Sequence, residues 1–179
     1  FRGVAVASKG GDRVTGDHMG MLGTVINSLA LSNAITRGGA KSKVFSALNM
    51  PSVADSFTAR AAKLALDDGF VVVCAGGTGN PFFTTDTAAA LKAIELDCDV
   101  LLKGTKVDGV YTEDPKKNPK AKRYETVSYE EVIGQNLKVM DTAAFALARD
   151  NGLPILVYAL DDKEGLMGVL NGKVRSTLV

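Results

Sequence analysis

The chain alternates short apolar runs with stretches whose apolar residues recur every three or four positions, and these two periods divide it into strands and helices. Residues 19–37 place Leu22, Val25, Ile26 and Leu29 on one face of a predicted helix, which Gly38-Gly39 ends. A short strand is expected over 43–47, a helix over 57–66 stopped by Asp67-Asp68-Gly69, and a buried strand over 70–74. A helix follows over 85–96, with Thr85 or Asp86 available as N-cap, and then an apolar strand over 100–103. Beyond a polar, proline-containing loop at 115–123, short helices are expected over 128–133 and 141–151. A strand over 155–160, a helix over 166–170 and a strand over 174–178 complete the pattern. Strands alternating with helices predict an α/β fold, a three-layer αβα sandwich with a mostly parallel central sheet, as one domain without repeats.

Composition narrows the class. With 179 residues, 46% hydrophobic and 23% charged, the chain reads as globular and long enough to bury a core. A net charge of +1 supplies no global field to recruit nucleic acid or a membrane surface. No apolar run approaches the ~18 residues of a membrane span, and no signal-peptide pattern is read at the start. Cys74 and Cys98 lack metal-ligand spacing and are expected to be reduced core thiols of a cytoplasmic protein.

Three segments carry candidate chemistry. The first, AGGTGNPFFTTD, follows the strand over 70–74, and in such sheets ligands bind beyond the carboxyl ends of strands. Gly76, Gly77 and Gly79 allow backbone N–H groups to approach a ligand, and Thr84 and Thr85 bring hydroxyls to a helix N-terminus that favours phosphate. Asn80-Pro81-Phe82-Phe83 puts two aromatics in a loop, where they either stack on a ligand or plug a domain end or subunit interface. The second segment is GDHMGML at 16–22, again at a helix start. From the motif alone Asp17 reads as the helix cap, and His18, the chain's single histidine, as a structural or interface residue. The third is LLKGTKVDGVYTEDP at 101–115. Lys103 and Lys106 beyond a strand end suit phosphate charge, while Tyr111 and Asp114 suit a base and a ribose or metal; a solvated hairpin explains Lys106 and Asp108 equally well. The basic residues 116–123 read as solvated surface.

Taken in order and spacing, FRG at 1–3, GDHMGML at 16–22, GTGNPFFTTD at 77–86, KGTKVDGVYTEDP at 103–115 and LKVMDTAAFALARD at 137–150 resemble the bacterial uridylate (UMP) kinase family of the amino acid kinase fold. The resemblance covers essentially the whole chain. It departs in the family's N-terminal region, with its phosphate-binding lysine and triple-glycine turn, so the native polypeptide is expected to extend upstream by several tens of residues.

The resemblance implies transfer of the ATP γ-phosphoryl to UMP, in pyrimidine nucleotide biosynthesis. It implies a UMP site over Thr78, Gly79, Asn80, Pro81, Phe82, Phe83, Thr84 and Thr85, with the loop closing on uracil and Thr85 near the transferred group. Asp17 would bind UMP through its ribose, Arg2 a phosphate, and Lys103, Thr105, Tyr111 and Asp114 the ATP side. Asp86 would stand by the reacting phosphates and Asp141 at a helix start. ATP and Mg²⁺ are the implied cofactors, with a homohexamer and regulation by GTP and UTP; no metal ligands are assigned. The physics agrees on one point: the second pKa of a phosphate monoester is about 6, so the UMP nucleophile is largely ionised near neutrality. No general base is needed, and Asp86 is better read as an organiser of Mg²⁺ or of a lysine. The alternatives are an enzyme of the same fold that phosphorylates a carboxylate or carbamate, or a non-catalytic nucleotide- or oxyanion-binding protein.

Overall fold

Two compact units divide the chain, residues 1–88 and 89–179. The computed structural model describes residues 3–137 and 139–179. The first unit runs α1 (Gly3–Ala7), α2 (Arg13–Arg37), β1 (Ser42–Ser46), β2 (Asp55–Ser56), α3 (Ala59–Asp67), β3 (Val71–Ala75) and the start of α4 (Thr85–Glu95). Its sheet has the order β2-β1-β3, and both pairings are parallel. Ser46 lies opposite Ala75, so β1 and β3 end level, and the Ala47 amide donates to the Ala75 carbonyl at 2.9 Å. Phe45 and Val73 fill this unit's core, with Ala62 and Ala65 of α3 and Met21 and Val25 of α2.

The long helix corrects two sequence expectations. It begins at Arg13 rather than Met19, capped by Asp12, whose Oδ2 accepts the Thr15 amide at 2.7 Å. Gly16, Gly20 and Gly23 each cost a helix about 1 kcal/mol relative to Ala, which makes this stretch look like loop. The buried face also differs. Met21, Val25 and Ser28 face inward, whereas Leu22 is 45% and Ile26 69% exposed, with Leu29 beside them. Residues 21/25/28 and 22/26/29 share the same spacing one position apart, so periodicity cannot choose between them. The sheet selects the side where small and hydroxyl side chains permit close approach.

β3 is likewise less buried than expected. Its exposure alternates, and Cys74 falls on the outward side. Cys98, in the turn after α4 between Asp97 and Asp99, is exposed too. Both expected core thiols are therefore at the surface, and neither is in a disulfide.

The second unit carries β4 (Leu101–Thr105), α5 (Tyr129–Gly134), α6 (Thr142–Asp150), β5 (Ile155–Ala159), α7 (Gly165–Leu170) and β6 (Ser176–Leu178). β4 pairs parallel with β5, and β5 antiparallel with β6. Three of the four strand pairings among the described residues are thus parallel, as the α/β reading expected. Phe145, Ile155, Val157, Val110 and Val132 form the core, and Tyr129 meets the Phe145 ring edge-on at 6.3 Å. Side-chain caps start the helices where the sequence suggested: Ser128 accepts the Glu131 amide and Asp141 the Ala144 amide. No helix among the described residues is long and apolar enough to cross a membrane.

Candidate active site

In the first unit, the segment after β3 is built on positive-φ glycine. Gly76, Gly77 and Gly79 have φ of 78, 60 and 76°, conformations that side-chain-bearing residues rarely adopt. A Cβ on Gly79 would also stand 3.0 Å from the Ala47 carbonyl oxygen, so the loop lies directly against the chain leaving β1. The Gly76 amide donates to Thr24 Oγ1 at 2.8 Å, tying the loop's root to α2. Thr78 and Asn80 bind one another: Thr78 Oγ1 accepts the Asn80 amide, and the Asn80 side-chain amide donates to the Thr78 carbonyl, both at 3.2 Å. Phe82 and Phe83 are 67% and 53% exposed, so neither plugs this unit's core.

Asp17 meets this loop. It stands inside α2, with its side chain 11% exposed, and its Oδ2 accepts the Phe82 amide and Arg13 Nε, each at 2.8 Å. The capping alternative for Asp17 is thereby corrected, since Asp12 holds that position. The Phe82 amide first, and the Arg13 guanidinium second, hold the Asp17 carboxyl below the usual carboxylate range against the opposing effect of burial. His18, next to it, is exposed.

At the start of α4 the cap is neither Thr85 nor Asp86. Thr84 Oγ1 accepts the amides of Asp86 at 3.1 Å and Thr87 at 3.2 Å. Asp86 therefore sits in the helix's first turn with its carboxylate not required as cap. Arg2 lies outside the described residues.

In the second unit, Lys103 and Thr105 stand on β4, and a hairpin follows. Thr105 Oγ1 donates to the Val107 carbonyl at 2.7 Å and accepts its amide at 2.9 Å, which turns the chain sharply at the strand end. The Tyr111 hydroxyl donates to Asp108 Oδ1 at 2.6 Å. That bond, with burial behind it, raises the tyrosine pKa. Asp114 Oδ1 accepts the Lys116 amide at 3.0 Å in a local turn. In the basic segment the lysines are exposed, but Arg123 is partly buried and donates to the Ser176 carbonyl. A cavity of about 590 Å³, lined by Ser128, Tyr129, Arg149 and Leu153 among others, opens at the amino end of β5. Ligands of parallel sheets bind at the other end, where Thr105 and its hairpin lie.

Sequence reasoning missed Arg13 and Thr24. Arg13 has a signal, since an arginine four residues before an aspartate on one helix is placed to pair with it. Thr24 has none, because its partner amide is remote in sequence.

The family model described as the amino acid kinase family matches residues 3–159. The chain belongs to the amino acid kinase family. Among curated relatives of this amino acid kinase family chain, the uridylate kinase of Brucella anthropi is 59% identical over 179 residues, covering all of this chain and 75% of the relative. Among solved structures, the UMP kinase from Ureaplasma parvum superposes with a TM-score of 0.95 at 38% identity, over 100% of this chain and 77% of that one. The UMP kinase from Bacillus anthracis gives 0.92 at 40% identity, over 99% and 74%.

Proposed function

We propose that this amino acid kinase family chain transfers the ATP γ-phosphoryl group to UMP, giving UDP and ADP. The observation that carries the reading is the loop after β3. Glycines at positive φ, two exposed phenylalanines and threonines at a helix start share one segment, whose Phe82 amide is held by the Asp17 carboxylate, in a chain 59% identical to a uridylate kinase. Thr78, Gly79, Asn80, Pro81, Phe82, Phe83, Thr84 and Thr85 form the UMP segment. Asp17, which has accepting capacity beyond the two bonds it makes, takes the ribose hydroxyls. Lys103, Thr105, Tyr111 and Asp114 serve ATP, and Arg2 a phosphate.

The chemistry asks little of the protein beyond placement. An ionised phosphate oxygen attacks without a base, and the rate comes from positioning two polyanions and neutralising charge. Loop amides and lysines perform both tasks. Mg²⁺ usually takes one or two carboxylates together with substrate phosphates. Asp86 is the carboxylate that would hold it or an adjacent lysine, and the ion supplies charge neutralisation when bound. A cytoplasmic, homohexameric enzyme of pyrimidine synthesis answering to GTP and UTP completes the reading; the outward Leu22, Ile26 and Leu29 support self-association.

The carboxylate- or carbamate-phosphorylating alternative is not favoured, because an amino-acid substrate needs a cationic clamp and the segment 79–86 carries no cation. A coupled assay for ADP production with UMP, glutamate and aspartate tests the reading. UMP-dependent ADP release is expected; ADP release with an amino acid in place of UMP, or no ADP release with any of the three, overturns it.

A further inference from the structure

Four residues from three segments of the first unit close into one cluster around a single carboxylate. Asp17 Oδ2 receives Arg13 Nε and the Phe82 amide, each at 2.8 Å. The Arg13 guanidinium in turn lies 5.2 Å from the centroid of the Phe82 ring. On the other side, a Cβ on Gly3 would stand 1.8 Å from Asp17 Oδ1 and 2.9 Å from Arg13 Nε, so only a residue without a side chain fits there. Phe82 itself has a φ of 71°, a conformation that bulky residues hold only where their surroundings enforce it. Here the enforcement is visible. The carboxylate fixes the amide, and the guanidinium fixes the ring.

We propose that Arg13 is a positioning residue for the nucleotide loop: it aims the Asp17 carboxylate and clamps Phe82, so that the loop is already set when the nucleoside monophosphate arrives. The kinetic side of this inference rests on the UMP reading above; the structural side does not. Arg13 acts through two neighbours, and its effect falls on binding. A preset loop spares the substrate the cost of ordering it. Arginine is required in kind as well as charge, because only a guanidinium donates through Nε while its central carbon stands over the ring.

The test uses two readouts. Steady-state kinetics of Arg13→Ala should show KM for UMP raised about tenfold with kcat within about threefold, the pattern of lost binding rather than lost chemistry. Arg13→Lys should resemble Arg13→Ala more than wild type. Phe82→Gly removes the ring and accepts the positive φ, so adding Arg13→Ala to it should raise KM by clearly less than in the wild-type background. Amide hydrogen exchange without nucleotide provides the second readout. In Arg13→Ala and Arg13→Lys, peptides covering 77–85 should exchange faster while β3 and α3 stay protected.

Loop exchange and KM both unchanged in a folded Arg13→Lys protein overturn the proposal, as does faster exchange spread evenly over the unit, which marks a folding role. Faster loop exchange in a protein whose wild type does not turn over UMP leaves the clamp standing and removes the UMP reading instead.

Discussion

Thr84 caps the helix on which Asp86 stands, its hydroxyl oxygen accepting the Asp86 amide at 3.1 Å. The capping bond is made by Thr84, so the Asp86 carboxylate is not the group that starts the helix. Asp86→Asn keeps the size and removes the charge. Its kcat should fall about 100-fold or more while UMP binding is roughly retained, the loss expected for one preorganised electrostatic contact. Thr84→Ala should instead lower stability by about 1 kcal/mol through the lost cap. Parallel kinetics and melting curves on both variants separate the two roles. An Asp86→Asn enzyme within a few-fold of wild type would sink the catalytic reading.

Base choice follows from the loop's internal bonding. Thr78 and Asn80 satisfy one another, so the segment presents its backbone to a ligand in a fixed arrangement. Uracil shows a ring N–H between two carbonyls, whereas cytosine replaces one acceptor with an amino donor. A backbone-built pocket cannot rotate to suit both, and a mismatched, desolvated partner costs about 1–3 kcal/mol. CMP should therefore show kcat/KM lower than UMP by about fivefold to 150-fold. Equal values for the two nucleotides contradict this.

The order of elements was legible because strand and helix periods alternate cleanly, and Ser128 and Asp141 mark helix starts by side-chain type alone. Sidedness was not. α2 is apolar on two adjacent faces, and which one is buried depends on Thr24 and Ser28 meeting the sheet, a tertiary choice. Cys74 looked like core because β3 is all apolar, yet one face of that strand remains exposed. The glycine loop announced itself by composition. Its partner did not, since Asp17 and Phe82 stand 65 residues apart and nothing local couples them. The cap at α4 was misplaced by one or two residues, within the ordinary ambiguity of a Thr-Thr-Asp run.

Acid should loosen the Asp17 cluster. The folded-state pKa of Asp17 is lowered, first by the Phe82 amide and then by Arg13. The stability this lends is present above the unfolded value of about 3.9 and is lost as pH falls through the lower folded value. Asp12 is lowered as well, through Thr15, and acts in the same direction. Melting temperature should therefore drop between about pH 5 and 3, and Asp17→Asn should flatten part of that drop. Wild type and Asp17→Asn curves that run parallel over this window would show that the carboxylate contributes nothing to it.

In the second unit, one buried hydroxyl joins the Arg123 bond to Ser176 in holding the candidate ATP hairpin to the sheet. Thr177 on β6 is fully buried; its Oγ1 accepts the Val110 amide at 2.9 Å and donates to the Tyr124 carbonyl at 2.5 Å. Val110 and Tyr124 are themselves bonded backbone to backbone, at the base of the segment that carries Tyr111 and Asp114. Valine has nearly the shape of threonine and can make neither bond. Thr177→Val should then leave a buried amide without its acceptor and a carbonyl short of a donor, costing about 2–4 kcal/mol. Thr177→Ser keeps the hydroxyl and loses only a methyl, at about 1 kcal/mol. A looser base should also reach the hairpin, so KM for ATP should rise in Thr177→Val with KM for UMP little changed. Urea unfolding of the two variants, alongside ATP and UMP titrations, supplies both comparisons. If Thr177→Val proves as stable as Thr177→Ser, the hydroxyl is not what secures the hairpin, and the two backbone groups find other partners.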